Sequence, residues 1–96
     1  MTEAPAFNGV VDNPERRRFE LVENGLTAFA DYRLHDGVMV IPHVEAPMPL
    51  RGTGAAGRLM QGTLDRIRDQ GLKVHPSCPY AAAYMRRHPE YLDLLA

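Results

Sequence analysis

The stretch Arg51-Gly52-Thr53-Gly54-Ala55-Ala56 decides how this chain reads. It follows an apolar, strand-like run and opens an amphipathic helix. Its small residues leave backbone N–H groups uncovered. A helix start adds donors with no intrahelical acceptor and a partial positive charge, so the segment makes a site for a phosphate group. The reading that follows is a protein that binds a phosphorylated ligand.

Upstream, Val38 to Glu45 reads as a strand that reaches this segment through the stiff loop Ala46-Pro47-Met48-Pro49. Pro42 sits inside that strand. Proline has no N–H for a ladder, so pairing must stop or bulge there. Asp36-Gly37 makes the preceding tight turn. Before it, Leu26 to Leu34 alternates, with Leu26, Ala28, Ala30, Tyr32 and Leu34 on one face. Asn24-Gly25 is a hairpin signal, because both positions tolerate positive φ. It joins that run to a strand over Arg18 to Glu23. Three strands linked by tight turns make an antiparallel meander. Residues 1–14 are expected to be partly mobile, with a short strand near Val10-Val11.

Downstream, Ala56, Leu59, Met60, Thr63, Leu64 and Ile67 fall on one helical face, and Gly71 is placed to end the helix. Gly57 and Gly62 are unexpected inside it, since each costs about 1 kcal/mol relative to alanine. A close approach by a ligand or strand would account for the first. Leu72 to His75 reads as a short buried strand. Pro79 suits the start of a helix to about Arg87, and Pro89 opens a shorter one to about Leu95. A strand–helix–strand crossover leaves its flanking strands parallel. The expected fold is therefore α/β, a single domain over residues 1–96 with a central mixed sheet. An antiparallel meander comes first, then helix, strand and helix.

The chain has 96 residues, enough for one domain, and a formal net charge of −1. That balance carries no broad electrostatic footprint for nucleic acid. Arg16-Arg17-Arg18 is the only basic run and reads as a solvated strand edge. The single cysteine, Cys78, has no internal disulfide partner, which fits a reducing compartment. No segment approaches the roughly 20 apolar residues of a bilayer span, and no signal-peptide pattern opens the chain. A cytoplasmic protein with no membrane or nucleic-acid partner is expected. His75, Cys78 and His88 match no zinc spacing, so no metal is expected. Met39, Met48, Met60 and Met85 read as gap-fillers of a core or cleft.

Arg51-x-x-Gly54-x-Ala56 resembles the acetyl-CoA pyrophosphate signature of the GNAT (GCN5-related N-acetyltransferase) superfamily, Gln/Arg-x-x-Gly-x-Gly/Ala. With His43-Val44-Glu45, Pro76-Ser77-Cys78-Pro79-Tyr80 and His88-Pro89-Glu90-Tyr91, the chain is similar to the minimal, NATD-type members from about Arg17 to Leu95. The resemblance implies that the loop of Gly52, Thr53, Gly54, Ala55 and Ala56 holds the CoA pyrophosphate. It implies a pantetheine arm in a gap between the third and fourth sheet strands, beside Val44 and Cys78. Arg51 and Arg58 would meet the adenosine end. The implied activity is N-acetyl transfer from acetyl-CoA to an amine, small or on a protein lysine, by direct attack in a ternary complex. The protein acting so would be a monomer or weak homodimer. The chain departs from the superfamily between its first two strands, where Asn24-Gly25 replaces the helices that help build an acceptor site. A non-catalytic CoA-binding or sensing module, or a covalent acetyl relay through Cys78, therefore stands as an alternative.

Transfer of acetyl to an amine needs a proton acceptor, a stabilised oxyanion and a leaving thiolate. His43 and Glu45 are two apart and share a strand face, so either can take the proton, or both can be solvated strand residues. By the resemblance, Tyr84 is the acid for the thiolate, and its ordinary pKa near 10 suits that task. Tyr80 competes for it, and a core aromatic is the other reading of Tyr84. Cys78 precedes Pro79 at a helix start, which lowers a thiol's pKa from about 8.5. It reads as an acetyl acceptor or as an inert buried thiol.

Overall fold

Two tight turns set the register of most of the sheet. In the computed structural model, which describes residues 7–96, Asn24 (φ 52°) and Gly25 (φ 72°) both hold positive φ, as do Asp36 and Gly37. Turns of that kind twist with their flanking strands. They join β2 (Arg18–Glu23), β3 (Leu26–His35) and β4 (Val38–Glu45) into the expected meander. β1 (Val11–Asn13) pairs antiparallel with β2, where the short strand was expected. After α1 (Ala55–Asp69), β5 (Lys73–His75) runs parallel to β4, giving the order β1-β2-β3-β4-β5. α2 (Pro79–Arg87) follows.

One core holds these layers together. Leu59, Met60, Leu64 and Ile67 of α1 are fully buried in a cluster with Phe19, Ala28, Ala30 and Ile41 of the sheet, and Thr63 is fully buried as well. Ala81 and Met85 of α2 join it. Gly71 ends α1 as expected: its N–H bonds the Arg68 carbonyl (3.0 Å) and the next N–H bonds that of Ile67 (3.1 Å).

The N-terminal segment explains Gly62. A Cβ there would overlap the Phe7 carbonyl oxygen and Val10 Cγ2, and would lie 2.8 Å from Val10 Cβ. Val10 is fully buried, and its carbonyl accepts a hydrogen bond from Arg66 Nε at 2.6 Å. The expected mobility of residues 1–14 falls partly on residues 1–6, outside the described residues. From Phe7 onward the segment is in contact with α1.

Four local expectations need correction. β5 is not a buried strand: only Val74 is buried, because the strand lies near the sheet margin with a single bridge to Leu95 beyond it. The last helix, at Pro89–Leu94 where it was expected, is wound as 3-10 rather than α. Met48 is 73% exposed in a 3-10 turn rather than filling a gap, while Met39, Met60 and Met85 are buried. Arg18 is not a solvated edge. It pairs with Glu20 at 2.6 Å and lies over the Phe29 ring.

Pro42 acts as its missing N–H requires. The β3–β4 register slips between Asp31↔His43 and Arg33↔Val40, leaving one extra residue on β4. On the other side, β5 accompanies β4 only as far as Val40↔His75. The Ile41 carbonyl takes the Cys78 N–H (2.9 Å) and the Ser77 hydroxyl (3.4 Å). Beyond that point β4 continues to Glu45 paired with β3 on one edge and with no strand on the other. Among the described residues, no helix is long and apolar enough to cross a membrane.

Candidate functional site

The loop between β4 and α1 is built to leave amides free. Gly52 (φ 79°) and Gly54 (φ 88°) take the left-handed conformation that lets it double back before α1. The Thr53 N–H and hydroxyl both bond the Leu50 carbonyl, at 3.2 and 2.5 Å, and the Ala55 N–H reaches Thr53 Oγ1 at 3.3 Å. The Arg51 N–H bonds the Met48 carbonyl at 3.0 Å. Thr53 and Ala55 therefore hold the loop's shape with the groups expected to face a ligand. The N–H groups of Gly52, Gly54, Ala56 and Gly57 have no acceptor among the described residues. Gly57 was absent from the residues that the sequence assigned to the loop. Its signal was present, as a glycine with no place in a helix.

Three adjoining hollows surround the loop, and Tyr80 borders all three. One of about 330 Å³ lies along the free end of β4, between His43, Val44 and Glu45 on one side and Arg51 and Ala56 on the other. A second, of about 270 Å³, sits over the loop itself. The third, of about 560 Å³, opens between the start of α1 and the length of α2, among Gly57, Arg58, Tyr84, Arg87 and His88.

The structure brings His43 and Glu45 together as their spacing predicts, with Nε2 and Oε1 3.2 Å apart and both side chains about half exposed (52% each). Val44 is half-buried against the core. Tyr84 lies elsewhere, in the α1–α2 hollow. Its ring stacks on His88 at 3.9 Å, and its carbonyl accepts from His88 Nδ1 at 2.8 Å, so that nitrogen carries the proton. Burial pushes the Tyr84 phenol up to about 12. Tyr80, 41% exposed, is also raised by burial, with Arg87 opposing the shift. Cys78 is 7% exposed and borders none of these hollows. Its N–H is the one that takes the Ile41 carbonyl where the strands part.

The two cations are committed differently. Arg51 Nε donates to the Ala46 carbonyl at 3.2 Å. Arg58 forms a two-bond pair with Glu23, Nε to Oε2 and Nη2 to Oε1, both at 2.7 Å. That pair holds the Glu23 carboxyl below its usual range. Nothing in the sequence marked Glu23, which lies 35 residues from Arg58.

A mixed sheet that opens beside a glycine loop and a helix start is the architecture of the GNAT fold. Among solved structures, it resembles that of a GCN5-like protein from Staphylococcus aureus determined by NMR. The TM-score is 0.64 over 91% of this chain and 86% of that one, at 22% identity. The family model described as GCN5-related N-acetyl-transferase matches residues 18–94, and the chain belongs to that family. It is 31% identical to Protein NATD1 of Mus musculus over 90 residues, covering 84% of this chain and 78% of that protein. With Protein NATD1 of Homo sapiens the identity is 32% over 89 residues, covering 83% and 75%. The protein thus falls in a family defined by acetyl transfer.

Proposed function

We propose that the protein moves acetyl from acetyl-CoA to a primary amine by direct attack. The observation that carries this reading is the row of four free amides beside the end of β4, whose edge facing β5 has no partner strand. Gly52, Gly54, Ala56 and Gly57 would hold the pyrophosphate through their N–H groups, which give up water and no protein acceptor on turning to it. Arg51 and Arg58 flank them. The strand end from His43 to Glu45 supplies backbone groups along which a pantetheine arm can lie, with Val44 as its apolar neighbour.

His43 and Glu45 supply the base. When Nε2 donates to Glu45, Nδ1 is left as the acceptor and can take the amine's proton. As the amine nitrogen bonds the acetyl carbon, the carbon–sulfur bond breaks and the thiolate leaves. We assign its proton to Tyr80, which borders both the His43–Glu45 hollow and the loop. Tyr84 is the poorer donor, because it lies in the other hollow and its pKa near 12 is farther from a thiol's.

Calorimetric titration of acetyl-CoA and CoA into wild type and Gly54→Glu tests the site. Micromolar-range binding lost in the variant supports it, and no binding to wild type refutes it. Turnover with an amine panel then tests the chemistry. Tyr80→Phe should lower kcat about a hundredfold, in the range of a lost general acid, while Tyr84→Phe stays within about threefold. The reverse order would return the role to Tyr84. Binding without turnover of any amine would leave a CoA-binding module.

A further inference from the structure

Arg58 stands in the second turn of α1, where a long cation would ordinarily sweep through solvent and lose rotamer freedom on meeting an anion. Here Glu23 takes two of its three guanidinium nitrogens in a fork, at 2.7 Å each. The third, Nη1, lies 2.8 Å from the position a Cβ on Gly54 would occupy. It therefore sits over Gly54, and Arg58 shares a hollow with Gly54 and Gly57. A Cβ at position 54 would displace this nitrogen, the far end of a side chain that can give, so glycine is required there by φ.

We infer that Glu23, at the end of β2, is a positioning residue: it holds Arg58 so that Nη1 addresses the phosphate bound by the loop. The inference rests on the acetyl-CoA reading of that loop. Stability alone does not account for the pair, because its side chains are 44% and 25% exposed and such surface pairs contribute little. The carboxylate also places a negative charge near a bound phosphate. At this exposed site the high dielectric of water weakens that repulsion without removing it, whereas the aim of the guanidinium is set by direct bonds.

The test is a thermodynamic cycle at physiological salt. Wild type, Glu23→Gln, Arg58→Ala and the double variant are titrated with CoA and with pantetheine, which lacks the pyrophosphate, and each is checked for an unchanged melting curve. Glu23→Gln should weaken CoA about fivefold, leave pantetheine unchanged, and add nothing in the Arg58→Ala background. Arg58→Lys, which keeps the charge and loses the fork, should show a similar loss. Equal or tighter CoA binding by Glu23→Gln overturns the inference. So does a loss shared by pantetheine, or one that persists without Arg58. Failure of wild type to bind CoA would refute the site itself, whereas binding unaffected by Glu23→Gln would refute only this role.

Discussion

A methyl group added at position 62 should destabilise the protein, whereas the same methyl at position 57 should not. Both glycines lie in α1, where alanine gains about 1 kcal/mol. At 57 the new Cβ meets only Tyr84 Cε2, at 3.9 Å, so the gain stands. At 62 it overlaps a backbone carbonyl and a fully buried valine, and neither is the loose end of a flexible chain. Residues 7–10 must then lift from α1. Exposing Val10 costs about 1.5–3 kcal/mol. Breaking the bond from Arg66 to its carbonyl costs about 1.5–3 kcal/mol more, since the donor is charged. After the helix gain is subtracted, Gly62→Ala should be less stable by about 2–5 kcal/mol, with a melting point lower by about 8–40 °C. Urea and thermal melts followed by circular dichroism measure this directly. Gly57→Ala should melt at or above wild type, yet bind CoA more weakly, because its methyl enters the hollow beside a free amide. A Gly62→Ala protein that melts within two or three degrees (about 0.5 kcal/mol) of wild type would refute the close approach of Phe7 and Val10.

Further tests concern titration and the thiol. Burial, and for Tyr32 a hydrogen bond to Asp12, push the Tyr32 and Tyr84 phenols up to about 12. The folded state holds these protons longer than the unfolded chain, whose phenols ionise near pH 10. Stability should be complete below about pH 10 and fall as pH rises toward about 12, with phenolate absorbance appearing alongside loss of circular dichroism. Ionisation of these phenols near pH 10 with structure intact would contradict their burial. Cys78, at 7% exposure, should react with thiol reagents only as fast as the protein opens, and should carry no acetyl group after mixing with acetyl-CoA and mass analysis. Rapid acetylation of Cys78, with turnover lost in Cys78→Ser, would establish the relay instead.

What was legible in the sequence is what neighbouring residues decide among themselves. Asn24-Gly25 and Asp36-Gly37 fix two hairpins through their own φ preferences, so β2 and β4 were readable to their end residues. Pro42 announced the gap because a missing N–H is a local fact with a non-local consequence. The loop motif, Gly54 included, was legible for the same reason. Groupings across elements were not. The face of α2 that carries Tyr80 and Tyr84 is read from spacing, but which hollow each borders depends on where α1 stands. Gly62 could not be explained without Phe7 and Val10 against it. Glu23 and Arg58 are each unremarkable as charged residues, and only the third dimension pairs them.

The tight turn at Asn24-Gly25 links these findings. It joins β2 directly to β3, where larger members of the superfamily are implied to insert helices that help build an acceptor site. The same turn leaves Glu23 at the end of β2, bound to the first cation of α1 beyond the loop. A connection this short, within the proposed reading, leaves little structure on the acceptor side and sets an ion pair on the cofactor side. Within the proposed reading, the demands on the two substrates diverge accordingly. A CoA moiety would meet four free amides and a positioned guanidinium. An amine would meet only His43 and Glu45, half exposed on a strand end and open to solvent. Little on the protein would then orient a small free amine, so such an acceptor would rely on concentration. A lysine presented by a larger partner would bring contacts of its own, and an open strand end places no wall in its way.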